Sequence, residues 1–217
     1  DIPAVAIVDP ELMYSMPKGL TAATGMDALT HAIESYITPG AWVMSDMFEL
    51  KAIEMIAQNL KAAVDNGKDV AAREAMSQAQ YIAGMGFSNV GLGIVHSMAH
   101  PLGAFYDTPH GVANALLLPY VMEYNAESPA APKYIHIAKA MGVDTTGMSE
   151  AEGVKAAIEA VKALSISINI PQKLHEINVK EEDIPALAVA AFNDVCTGGN
   201  PRPTSVADIE ALYHKAF

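Results

Sequence analysis

Residues 75 to 122 contain one charged side chain, Asp107. The run reads AMSQAQYIAGMGFSNVGLGIVHSMAHPLGAFYDTPHGVANALLLPYVM. A stretch so poor in charge meets little water, because isolated charges are costly to bury. It nevertheless holds three of the chain's seven histidines, His96, His100 and His110. A buried imidazole needs a hydrogen bond, a carboxylate or a metal as partner. His96 and His100 stand at i, i+4, one turn apart on one helical face. Pro101, Gly103 and Pro109 interrupt the chain before His110, so it can fold back there.

The 217 residues are enough to bury a sizeable core, and the apolar and charged fractions are those of a globular protein. A net charge of −12 argues against nucleic acid or an anionic membrane as partner. Cys196 is the only cysteine, so no intramolecular disulfide can form, and a reducing, cytoplasmic setting is the expectation. The opening DIPAVAIVDP has no basic segment or cleavage site of a signal peptide and no initiator methionine; it reads as cut from something longer. No unbroken apolar run is long enough to cross a bilayer.

Periodicity predicts a mainly α domain over 1–217, a bundle of about eight to nine helices behind a short buried strand from Ala4 to Asp9. That strand is expected to pair with something absent. Helices are expected over 17–37, 41–64, 70–87, 92–99, 111–125, 132–141, 149–168, 180–195 and 205–217. Pro101 should end the His96 helix at Ala99, and Pro119 should kink its successor. Ser149 and Glu152 form a capping box. The run from Cys196 to Pro203 looks too rich in glycine and proline for regular structure.

Two groups carry chemistry. Asp27 and His31 stand at i, i+4 in GMDALTHAIESY, and His96, His100 and His110 form the second group. Carboxylate and neutral imidazole suit zinc or iron, and the absence of thiolate excludes a cysteine-rich zinc site. The residues alone leave two readings open: a metal site gathered from these five, or a surface pair at Asp27/His31 beside a core histidine at 96. Phe87 and Cys196 flank glycine-rich turns and are candidates to line a pocket, though a lone cysteine is commonly a small buried hydrophobe. Arg202 reads as a structural salt bridge, Met44, Met47 and Met55 as packing, and His136, His175 and His214 as surface residues. The glycines at 84, 86, 91 and 93 make no dinucleotide fingerprint.

The motifs GMDALTHAIESYIT, FSNVGLGIVHSMAHPLGAFYDTPHGVANALLLP and DVCTGGNPR resemble the C-terminal half of the iron-dependent (group III) alcohol dehydrogenases, and the resemblance covers essentially the whole chain. It implies a helical bundle like the C-terminal domain of the dehydroquinate synthase-like fold. It also implies an Fe²⁺ site on Asp27, His31, His96 and His110, which Zn²⁺ can fill. His100 matches the family's further histidine, a catalytic proton carrier beside the metal and not a ligand. NAD(H), a small aldehyde or alcohol substrate such as lactaldehyde, and a homo-oligomer follow from the same resemblance. The family's N-terminal domain, with its glycine-rich pyrophosphate loop, has no counterpart in this sequence. Two rivals remain: a truncated helical module that binds metal without turnover, and a helical metal-dependent hydrolase. The second is weakened by the lack of an adjacent His-Asp pair and by sparse basic residues near the histidines.

Overall fold

A computed structural model describes residues 4–217 of the chain. Nine α-helices run through them: α1 Lys18–Ile37, α2 Val43–Asp65, α3 Val70–Val90, α4 Ile94–Tyr106, α5 His110–Asn125, α6 Tyr134–Ala140, α7 Glu150–Ser167, α8 Ile184–Phe192 and α9 Val206–Ala216. The expected strand does not form. Residues 5–9 are extended without regular hydrogen bonds, and Val5 and Ile7 are 79% and 90% exposed. A strand exists only when its amides find a neighbouring strand, and none lies among the described residues. Pro10 instead opens a 3₁₀ turn, with Asp9 accepting from the Glu11 amide at 3.0 Å.

α1 is the central element, packing against α2, α3 and α5. Met26, Leu29 and Ile33 are buried on it, whereas Leu20, near its start, is half exposed. α4 packs on α5 and α8, α6 on α7, and α8 on α9. Buried side chains from all nine helices merge into one core. The Ser149–Glu152 capping box starts α7 as expected. Met55 packs against the core, but Met44 and Met47 do not. They lie off the buried stripe of α2, which runs through Ser45, Glu49, Ile53, Ile56 and Leu60.

α4 differs most from expectation. It passes through Pro101 and ends at Asp107, which takes the left-handed conformation. A proline inside a helix costs ~3 kcal/mol through its missing donor and its ring. Ile94, Val95, Met98 and Leu102 are all buried on this helix. Each such burial contributes about 1.5–3 kcal/mol, so tertiary packing outweighs the break. The helix expected to reach Val195 stops at Phe192, and Val195–Gly199, most of it expected to be irregular, forms a 3₁₀ turn begun by Asp194.

One close approach sets the site. A Cβ on Gly111 would come within 2.3 Å of the Ala23 carbonyl oxygen, so only glycine lets α5 begin against α1. That seating puts His110, the first residue of α5, beside Asp27. Gly111→Ala is expected to cost about 1–3 kcal/mol by overpacking, read as a lower urea midpoint at unchanged slope.

Candidate metal centre

Asp27 and His31 face the same way from α1, with His31 Nδ1 3.9 Å from Asp27 Oδ2. Both side chains are about one-fifth exposed. His96, in the first turn of α4, is buried, and its Nε2 lies 3.1 Å from His31 Nε2 and 3.8 Å from Asp27 Oδ1. His110 brings Nε2 to 3.5 Å from Asp27 Oδ1 and is 43% exposed. One donor atom each from Asp27, His96 and His110 lies within 4.8 Å of the others. His31 closes the group by its contact with His96. The four ligands named from the resemblance therefore come together from three helices.

Protonation in this cluster follows from its surroundings. Burial, reinforced by neighbouring His96, pulls His31 down to about 4, so its imidazole is neutral at pH 7. Burial also lowers His110. His96 goes the other way: burial pulls it down, but the Glu34 hydrogen bond and charge prevail. No lysine or arginine pairs with any of the four among the described residues. The imidazoles of His31 and His110 favoured neutral, a third at His96 and one carboxylate, converging without a lysine or arginine, fit a divalent metal that displaces the remaining proton.

Three residues of this neighbourhood escaped the sequence reading. Glu34 holds His96 Nδ1 through Oε2 at 2.5 Å. Asn114 is fully buried, and its Nδ2 lies 2.6 Å from Asp27 Oδ1 and 2.9 Å from His110 Nε2, tying the two together. Asp194 Oδ2 lies 2.7 Å from His100 Nδ1. Two of them carried a signal. Glu34 continues the Asp27–His31 face at i+7, and Asn114 stands i+4 from His110. Nothing local pointed Asp194 at His100.

His100 stands apart from the donor group. Its ring stacks on that of His110 with centroids 5.3 Å apart, and it is 42% exposed. With Nδ1 on Asp194, its Nε2 has no partner among the described residues. Phe87 stacks on His31 with centroids 4.5 Å apart. It also lines a cleft of about 440 Å³ that reaches Asp27, His31, Met13, Met16 and Met76. Cys196 does not line that cleft, so the two pocket candidates are not brought together there. Its amide donates to Asp194, and burial, with the Asp194 charge adding, pushes its thiol up to about 12. Arg202 pairs with Glu127 at 2.9 Å, a structural bridge as expected. His136, His175 and His214 are exposed.

Residues 21–217 match the model of the Fe-containing alcohol dehydrogenase family, C-terminal. Lactaldehyde reductase of Escherichia coli K12 is 59% identical over 217 residues, which is all of this chain and 56% of that protein. The 1,3-propanediol dehydrogenase of Klebsiella pneumoniae is 47% identical, again over all of this chain and 56% of the relative. Among solved structures, a 1,3-propanediol oxidoreductase superposes with a TM-score of 0.97 at 47% identity, covering 100% of this chain and 56% of that one. The chain thus spans about half the length of the curated relatives it matches and belongs to the Fe-containing alcohol dehydrogenase family, corresponding to its C-terminal part.

Proposed function

We propose that residues 1–217 form the metal-holding catalytic domain of an iron-activated, NAD(H)-linked alcohol dehydrogenase. In the whole protein it reduces small aldehydes such as lactaldehyde to 1,2-propanediol, reversibly. The observation that carries this reading is the convergence of Asp27, His31, His96 and His110 beside the cleft. These four would hold Fe²⁺, or Zn²⁺ in its place, since zinc generally binds nitrogen and oxygen sites more tightly than ferrous iron. The metal supplies a Lewis acid toward a carbonyl or alcohol oxygen.

The chain's own residues do the rest. Phe87, against His31, and the methionines of the cleft give a small substrate an apolar wall and exclude water from it. Asp194 accepts from His100 Nδ1 and fixes that tautomer, leaving Nε2 to exchange a proton between substrate oxygen and solvent. The neutral Cys196 thiol is neither nucleophile nor soft ligand at pH 7. No strand with a glycine-rich turn that could cradle a pyrophosphate occurs among the described residues. Hydride transfer from NAD(H) is therefore assigned to the whole protein, and no step of it is derived from these residues.

A cytoplasmic homo-oligomer without nucleic acid or membrane partners remains the expectation. No helix among the described residues is long and apolar enough to cross a membrane. Family membership disfavours the hydrolase reading. A domain that binds metal without turnover is the rival that an assay must separate. In the complete protein, His100→Ala should slow NADH-linked lactaldehyde reduction by about 10²–10⁴-fold while leaving the metal bound. Release of the metal by that variant would show that His100 is a ligand and not a proton carrier.

A further inference from the structure

We propose that Glu34 is the positioning residue of the metal site, acting through His96; the inference rests on the metal reading above. Glu34 is 2% exposed, and each of its oxygens has one partner. Oε1 accepts from the Val95 amide at 2.7 Å, and Oε2 lies 2.5 Å from His96 Nδ1. An ionised carboxylate only accepts, so Nδ1 carries the hydrogen, and in neutral His96 the bare nitrogen is Nε2. That is the nitrogen facing His31 and Asp27.

Because Val95 and His96 are adjacent, one carboxylate fixes both the first turn of α4 and the rotation of the imidazole. Room for it comes from Gly93, where a Cβ would stand 2.9 Å from Glu34 Oε1. Glu34 also sits one turn beyond His31 on α1, so the same short stretch of helix carries two donors and the support of a third. A hydrogen-bonded carboxylate behind a ligating histidine sets its tautomer and raises its basicity.

Glutamine fits the same space but not the same bonds. If its carbonyl takes the Val95 amide, its NH₂ faces His96 Nδ1 and forces the hydrogen onto Nε2, the nitrogen needed for metal. If it turns round, its NH₂ confronts the Val95 amide. The first arrangement keeps both hydrogen bonds but leaves the wrong His96 nitrogen bare, and the second gives up the bond to Val95.

The test is Zn²⁺ affinity by chelator competition, with the absorption spectrum of the Co²⁺-loaded chain as a second readout. Glu34→Gln should bind Zn²⁺ about 10–100-fold more weakly than the unchanged chain, with a shifted Co²⁺ spectrum. Glu34→Asp, still an acceptor-only carboxylate, should fall between the two. Glu49→Gln, a buried glutamate that touches none of the four donors, should match the unchanged chain. A folded Glu34→Gln with unaltered affinity and spectrum, alongside an Asp27→Ala that has lost metal, would overturn the role of Glu34 and leave the site standing. If Glu34→Gln does not fold, equal affinity in Glu34→Asp and the unchanged chain overturns it. An unchanged chain that binds no Zn²⁺ overturns the metal reading and this inference together.

Discussion

Replacing Asp27 with alanine is expected to abolish stoichiometric metal binding, a larger loss than any neighbouring substitution produces. Asp27 is the only carboxylate in the donor group, and its oxygens lie between 3.5 and 3.9 Å from ring nitrogens of all three histidines. Removing it leaves three imidazoles and no anionic donor, so the charge of a divalent ion is no longer balanced within the donor group. It also strands the Asn114 amide, which loses its 2.6 Å contact inside a fully buried position. Changes behind a ligand cost about 10–100-fold in affinity, and loss of the bridging anion should exceed that. Equilibrium dialysis against Zn²⁺ reads the effect. The melting temperature of metal-free Asp27→Ala should fall by only a few degrees, since Asp27 is not a core residue and Asn114 keeps its 2.9 Å contact with His110.

The second large effect concerns stability and pH. Glu49 is fully buried in α2, and neither carboxyl oxygen has a hydrogen-bond partner. Burial pushes its carboxyl up to about 8, and the Asp46 charge adds to the shift. Ser35 opposes the shift without overcoming it, and its hydroxyl is donated to the His31 carbonyl at 2.5 Å. The sign follows from which state holds the proton. Below the ordinary value of 4.5 both folded and unfolded chains are protonated at this site, and its stabilising contribution is complete. Between 4.5 and about 8 the unfolded chain releases the proton while the folded chain keeps it, so stability falls as pH rises. The loss over that window is on the order of 3–5 kcal/mol. Urea unfolding of the metal-free chain at pH 5 and pH 8.5 measures it. Glu49→Gln should flatten this part of the profile and be the more stable protein at pH 8.5. A parent and variant with parallel profiles would show that Glu49 ionises freely in the fold.

Much of this arrangement is legible in the residues themselves. Turn and cap signals located most helix ends, because Pro39-Gly40, Asn66-Gly67 and the Ser149–Glu152 box act within a few residues of chain. The i, i+4 spacing placed Asp27 with His31 on one face for the same local reason. What was lost depended on distant chain. The strand at 4–9 needed a partner, and α4 outlasted Pro101 because helices far away in sequence bury it. Glu34 shares a helical face with Asp27 and His31, but the partner that gives it a role, His96, lies 62 residues away, beyond any local pattern. Asp194 reaches His100 across 94 residues, a contact that no spacing rule encodes.

The central claim is that four side chains of α1, α4 and α5 form one nitrogen- and oxygen-only metal site. Anaerobic loading of the purified chain with Co²⁺, read by metal content and visible absorption, tests it most directly. The account predicts one ion per chain, no thiolate-to-metal band from Cys196, and loss of the ion in Asp27→Ala. A chain that takes up no ion, shows a thiolate band, or keeps its ion when Asp27 is gone would contradict it.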